Sequence, residues 1–205
     1  MKRRFDDPQV LPGTRLSPAD CLARAVQLEG SPGEAYVERR GIPCAVAIAA
    51  GVRFEADFAG RPAVLAPLHD QSGALTAVHG RYLHNLRGQD KMLTVGHQGG
   101  VIRVLQGEPL IIVEGLFDAL SVALCGYPAV ATIGREVPWL TLARDAFIAF
   151  DANRPGNEDA DRLLPLLPGS RRLPPPPRCK DWNTALAKRG ANGVRRWLRD
   201  NLEKP

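Results

Sequence analysis

The chain has no run approaching about 18 consecutive apolar residues, so no segment is suited to cross a membrane as a helix. Its basic start, Met1-Lys-Arg-Arg-Phe-Asp-Asp, leads into no apolar stretch, which argues against a secretory signal peptide. Cysteine is scarce. The four residues Cys21, Cys44, Cys125 and Cys179 are scattered, and none pairs as CxxC. That pattern speaks against both a zinc site and a disulfide framework, and the expected setting is a cytoplasmic protein with reduced thiols. His69 and His97 also lack ligand spacing. No internal repeat is present.

The 205 residues are ample for one core or two small ones, and 44% hydrophobic with 24% charged content is ordinary for a globular protein. The net charge of +5 is unevenly placed. Residues 168–205 hold ten Lys/Arg against three acids, a net of +7, so the rest of the chain sums to −2. A basic tail beside an acidic site suits a polyphosphate or nucleic-acid substrate; a solvated basic helix explains the same charges equally well.

Residues 1–18 carry Pro8, Pro12, Gly13 and Pro18 and read as an extended arm. Ser17-Pro18 is a helix start, with Ser17 as N-cap and Pro18 in the first turn, and the helix is expected to reach about Leu28. Ser31-Pro32 repeats the device, and its helix is expected to run to Arg40, before Gly41 and Pro43. A short helix is expected at 44–50. Runs 63–68 and 74–83, separated by His69-Asp-Gln-Ser-Gly73, predict a hairpin. Residues 84–100 read as polar and glycine-rich, with one more short strand at 101–105.

From 109 the pattern becomes βαβα: strand 110–113, helix 116–125, strand 129–132, a short helix near 137–144, strand 146–150, then a helix from 157 to about 164. Leu173 is placed at the end of a further short strand. This predicts an α/β parallel sheet flanked by helices, with right-handed crossovers. Pro174 to Pro177 form a stiff spacer, and helices at 182–189 and 192–202 follow. The expected division is an α+β subdomain at 1–107, an α/β unit at 108–190 and a basic helix at 191–205.

The chemistry gathers at strand ends. Strand 110–113 releases Glu114, and strand 146–150 releases Asp151. In open α/β sheets ligands sit outside the carboxyl ends of the strands, so two acids there point to a divalent-metal site. Gly115 permits a sharp turn and close approach, and Asp118 lies one helical turn beyond Glu114. The alternative is that Glu114 caps the helix while Asp118 complements its dipole. Asp151-Ala-Asn153-Arg-Pro-Gly156 offers two oxygen donors at alternate positions, which suits Mg²⁺, or else an Asx turn capping the next helix. Glu158, Asp159 and Asp161 add nearby charge. Lys180-Asp-Trp-Asn183 supplies a cation for phosphate, with Asp181 and Asn183 orienting neighbours or capping a helix. His79-Gly-Arg81-Tyr-Leu-His84, with Arg87 and Lys91, is either a basic nucleotide-facing hairpin or an ordinary polar one.

The order of these motifs is more specific than any one of them. Val113-Glu-Gly-Leu-Phe-Asp118, Thr132-Ile-Gly134, Phe150-Asp-Ala-Asn153-Arg-Pro-Gly156 and Lys180-Asp-Trp-Asn183 together resemble the TOPRIM domain of DnaG-type and phage primases over about 108–190. Upstream, Ala35-Tyr-Val-Glu-Arg-Arg-Gly-Ile42, Pro67 to Gly73, His79 to Leu83 and Asp90-Lys91 are similar, more loosely, to the primase catalytic core of phages and mobile elements. The implied fold is a TOPRIM-like, Rossmann-like sheet preceded by a smaller α+β subdomain.

The resemblance implies primer synthesis in DNA replication: nucleotidyl transfer to a 3′-hydroxyl on single-stranded DNA, using nucleotides and Mg²⁺ or Mn²⁺ but no zinc. Glu114 would act as general base or additional metal ligand, while Asp151 and Asn153 would hold metal with Asp118 close by. Arg81, Lys91, Lys180, Arg171 and Arg172 would meet nucleotide or nucleic acid. Gly115, Gly156, Asp181 and Asn183 would support the site. Two departures stand out. Asn153 replaces the family's second aspartate, so weaker metal binding is expected. The zinc-binding module and helicase region usual in primases are unmatched, so a helicase or a separate zinc-binding protein is an expected partner. A TOPRIM nuclease and a non-catalytic protein binding nucleic acid or a replication partner are the alternatives.

Overall fold

A computed structural model describes residues 16–134, 137–143 and 145–203. Most of the expected N-terminal arm lies outside the described residues.

Ser17 caps α1 (Pro18–Arg24) through a capping box with Asp20. The helix stops four residues short of the expected Leu28. Val26–Gln27 (β1) pairs instead with the edge of a sheet, so tertiary pairing overrides the local helical pattern. Ser31 caps α2 (Pro32–Glu38), and α3 (Cys44–Ala49) follows.

The first sheet is an antiparallel meander in the order β1-β2-β3-β4-β5, with β2 at Arg53–Phe58, β3 at Arg61–His69, β4 at Leu75–Tyr82 and β5 at Met92–Gly96. The β3–β4 hairpin matches the sequence reading. The sequence pattern predicts neither β2 nor β5, and β5 falls within the polar, glycine-rich segment 84–100. Period-two alternation sends Ala63 and Leu65 under α1, while Val64, Ala66 and Leu68 face a larger core shared with the rest of the protein.

The second sheet has the order β10-β9-β7-β8-β6. Its strands are β6 (Ile102–Val104), β7 (Leu110–Val113), β8 (Ala129–Ala131), β9 (Ala146–Ile148) and β10 (Arg171–Arg172). β7, β8, β9 and β10 run parallel, as expected. β6, which precedes the βαβα stretch, joins this sheet at its edge and pairs antiparallel with β8. Such an edge strand needs no crossover helix.

Helices α4 (Leu116–Leu124) and α5 (Arg154–Leu163) follow β7 and β9. Ile111, Val113, Phe147 and Ala149 enter the shared core, whereas Ile112, Ile148 and Phe150 pack on the opposite face. The chain closes with α6 (Trp182–Leu202), interrupted at Gly190, whose φ of 65° lies in the left-handed region. That break reproduces the two expected helices as one kinked element. Trp182 anchors α6 to the sheet: it is fully buried and its indole N–H donates to Ala149 O at 2.8 Å. No described helix is long and apolar enough to cross a membrane.

Candidate active site

The apolar strands β7 and β9 are adjacent and parallel, so the residues that follow them emerge at the same sheet edge. Glu114 and Asp151 meet there, with Asp151 N–H donating to Glu114 Oε1 at 2.9 Å. The turn after β8 arrives beside them, where Ile133 N–H donates to Glu114 O at 2.9 Å. Two glycines make this approach possible. A Cβ on Gly115 would lie 2.9 Å from Asp118 Oδ2, and one on Gly156 would lie 2.5 Å from Asp151 O and 2.8 Å from Glu114 Oε1.

Asp118 lies in the first turn of α4 and turns toward the start of α6. Its Oδ1 accepts from the backbone N–H of Trp182 at 3.0 Å and of Asn183 at 3.1 Å. Burial, then the charges of Asp181 and Asp151, push its pKa from 3.8 up to about 7, while the two N–H donors oppose the rise. Asp151 is pushed up to about 6, by burial first and then by Glu114 and Asp181, while Lys180 and Asn153 oppose.

Asn153 caps α5, its Oδ1 accepting from Gly156 N–H at 2.9 Å and its Nδ2 donating to Asp151 Oδ2 at 3.1 Å. Asp181 caps α6 through Thr184 N–H at 2.6 Å. Lys180 Nζ stands 3.8 Å from Asp151 Oδ2, and Ala152 N–H donates to Lys180 O, joining the two loops. Asn183 bridges the lobes: its amide donates to Arg40 O at 2.9 Å and to Ser121 Oγ at 3.2 Å.

Several basic residues lie in places the sequence did not reveal. Arg172 donates to Ile148 O, Asp151 O and Asn157 Oδ1, at 2.9, 3.1 and 3.0 Å. Its guanidinium braces the turn that carries Asp151. Arg171 stacks on Phe147 and sits 3.8 Å from Asp145. Arg81 lies in β4 and Lys91 immediately precedes the neighbouring β5, Lys91 O accepting from Tyr82 N–H. Arg81 Nε reaches Tyr36 Oη at 3.4 Å. Arg40 went unrecognised in the sequence. It lies 4.3 Å above the Phe117 ring, donates to Tyr36 Oη at 3.2 Å and approaches Asn183 Oδ1 at 3.4 Å. Its only local signal is the Arg-Gly pair in the turn just after α2.

The donors at the sheet edge are oxygens, and their carboxylates raise one another's pKa, which a hard divalent cation would relieve. Among the described residues, however, no three His, Cys, Asp or Glu side chains form a set that could hold a metal ion. The donor chemistry fits such a cation, whereas a closed ligand cage is not formed.

The crowding has a thermodynamic consequence. Between about pH 4 and pH 7, folded Asp118 retains a proton that the unfolded chain has released, so stability falls as pH rises through that window and levels above it. Asp151 acts in the same direction up to about pH 6. His69 opposes them, because burial and Arg103 lower its pKa. Asp118→Asn keeps the acceptor for both N–H groups. In EDTA it is expected to melt higher than the unsubstituted chain near pH 8, by roughly 2 kcal/mol, with the gap closing near pH 4. Thermal melts at the two pH values check this, and an equal offset at both would refute it.

The second sheet is a mixed α/β sheet with Glu114 and Asp151 at the ends of adjacent parallel strands. Residues 111–186 match the Toprim-like family, and residues 14–103 match a domain of unknown function (DUF7146). Residues 111–186 are therefore TOPRIM-like, and the chain as a whole is similar in fold to the catalytic cores of primases. The RNA polymerase domain of Mycobacterium tuberculosis primase DnaG, solved with double-stranded DNA, superposes with TM-score 0.66 at 16% identity, covering 89% of this chain and 78% of that one. The primase fragment of the bacteriophage T7 primase-helicase gives 0.58 at 20% identity, over 80% of this chain and 71% of that one. Gene 57 protein of Mycobacterium phage D29 is 29% identical over 92 residues, or 42% of this chain and 59% of the relative.

Proposed function

We propose that the chain is a primase-type nucleotidyltransferase that synthesises short primers on single-stranded DNA. The observation that carries this reading is the meeting of Glu114 and Asp151 at one edge of a TOPRIM sheet, packed against an N-terminal lobe in a primase-core fold. Asp151 and Asn153 would hold Mg²⁺ or Mn²⁺, with Asp118 close by. When bound, the cation supplies charge stabilisation for the phosphates and leaving group. Glu114 serves as general base or as a metal ligand. Arg81 and Lys91, at the first sheet, contact nucleotide or template, and Lys180 contacts phosphate. Arg172 holds the Asp151 turn, and Asn183 ties Asp118 to Arg40. By analogy with the T7 relative, a helicase is the expected partner.

A second reading, a weakly catalytic nucleic-acid-binding protein, draws on Asn153 and on Lys180. The Lys180 ammonium already lies beside Asp151, where it neutralises part of the charge a cation would meet. The purified chain is to be given single-stranded template, ribonucleotides and Mg²⁺ or Mn²⁺. Short products made de novo support priming. A shortened template would mean a nuclease, and binding without either product would mean the second reading.

Asn153→Asp tests the donor set directly. It keeps the cap acceptor but replaces the donor facing Asp151 with a second negative charge. It is expected to tighten Mn²⁺ binding by roughly tenfold, since affinity follows ligand charge. Calorimetry showing no change would remove residue 153 from the metal site.

A further inference from the structure

The segment 174–181 runs back along α6 and carries Arg178 and Lys180, while Lys188 and Arg189 reach it from the helix. Lys188 Nζ donates to Arg178 O at 3.0 Å, and Arg189 Nη2 donates to Pro177 O at 2.9 Å. Trp197 Nε1 meets Pro174 O at 3.3 Å farther along the helix. Two residues beyond Arg178, Lys180 reaches Asp151. All four basic residues are exposed.

The way they are held matters. Lys188 and Arg189 are anchored by neutral carbonyl oxygens, not by carboxylates, so their positions are restrained while their charge stays uncompensated. Among the described residues, Arg178, Lys188 and Arg189 have no ion-pair partner. The nearby acid Asp181 is committed to capping α6. By contrast, Arg154, Arg162 and Arg199 each pair with an acid on their own helix. Cations that are restrained but uncompensated suit an anion-binding surface.

We infer that Arg178, Lys180, Lys188 and Arg189 form a track for the phosphate backbone of a single nucleic-acid strand running past the strand-end acids along α6. From Trp182 to Arg189 the helix advances about 10 Å at 1.5 Å per residue, room for about two phosphates. This inference rests on the nucleic-acid part of the proposed function and is independent of catalysis.

The test is binding of a fluorescein-labelled oligo-dT strand in EDTA, followed by anisotropy from about 50 to 200 mM salt. Lys188→Gln with Arg189→Gln removes two charges but leaves amide donors for the Pro177 and Arg178 carbonyls. The log Kd against log salt slope is expected to become shallower by about 1.4, since each phosphate contact to a single strand contributes about 0.7. Arg24→Gln with Arg53→Gln, distant on the first lobe, removes the same net charge and is expected to leave the slope unchanged. Equal slopes for the unsubstituted and Lys188/Arg189 proteins would overturn the track while sparing the nucleic-acid reading. An equal change in the control pair would also overturn it, by assigning the effect to net charge. If the unsubstituted chain fails to bind the strand at all, the track and the nucleic-acid reading both fall.

Discussion

Glu114→Gln is expected to reduce primer synthesis by at least about 100-fold while leaving the fold intact, the scale on which a positioned acid–base group acts. The structure makes this substitution clean. Glu114 Oε1 accepts a hydrogen bond from Asp151 N–H, and a glutamine carbonyl accepts the same bond. The change therefore removes charge and proton-accepting capacity but not the contact joining β7 and β9. It also removes a charge that raises the Asp151 pKa, so the folded protein should gain slight stability near pH 7. The informative measurement pairs a template-dependent product assay with a melting curve. A large activity loss at unchanged or raised Tm places the carboxylate in the chemistry. Full activity in Glu114→Gln would remove Glu114 from it.

Gly156→Ala is expected to damage both stability and activity, for a steric reason. Gly156 lies in the first turn of α5, where the backbone is ordinary helix and alanine would normally help. Here its Cβ would sit 2.5 Å from Asp151 O, 2.8 Å from Glu114 Oε1 and 2.9 Å from Asp151 Cβ. Two of these neighbours belong to Asp151 itself, and Arg172 also holds the Asp151 carbonyl. The turn cannot yield without moving both acids. Overpacking of this kind costs about 1–3 kcal/mol, which for a chain of this size lowers Tm by roughly 3–10 °C. Activity is expected to fall more than stability predicts, because the displaced groups are the candidate catalytic pair. A Tm at or above that of the unsubstituted chain would show that the turn is free to relax.

The elements legible in the sequence are those with local causes. Ser17 and Ser31 announce their helices because an N-cap and a proline in the first turn act within four residues. The apolar runs at 110–113 and 146–150 reveal buried strands because burial on both faces removes alternation. β2, β5 and the end of α1 escape the reading for the opposite reason. β2 gains its identity from β3, β5 from β4, and Val26–Gln27 from β2, and none of those pairings has a local signature. The orientation of β6 is hidden in the same way, since a short apolar run looks alike in either direction.

The candidate site divides along the same line. By itself the sequence determined that acids stand at the ends of two apolar strands, that glycines follow Glu114 and Asn153, and that charge is concentrated after residue 168. Only the tertiary structure decided which groups are available. It ties Asp118 to the start of α6, turns Asn153 into a cap, assigns Arg172 to backbone carbonyls and brings Arg40 beside Asn183. Residue type states what a side chain is able to donate or accept. Its actual partner is often a backbone group brought near by distant strand pairing, and that placement exists only once the sheet has formed.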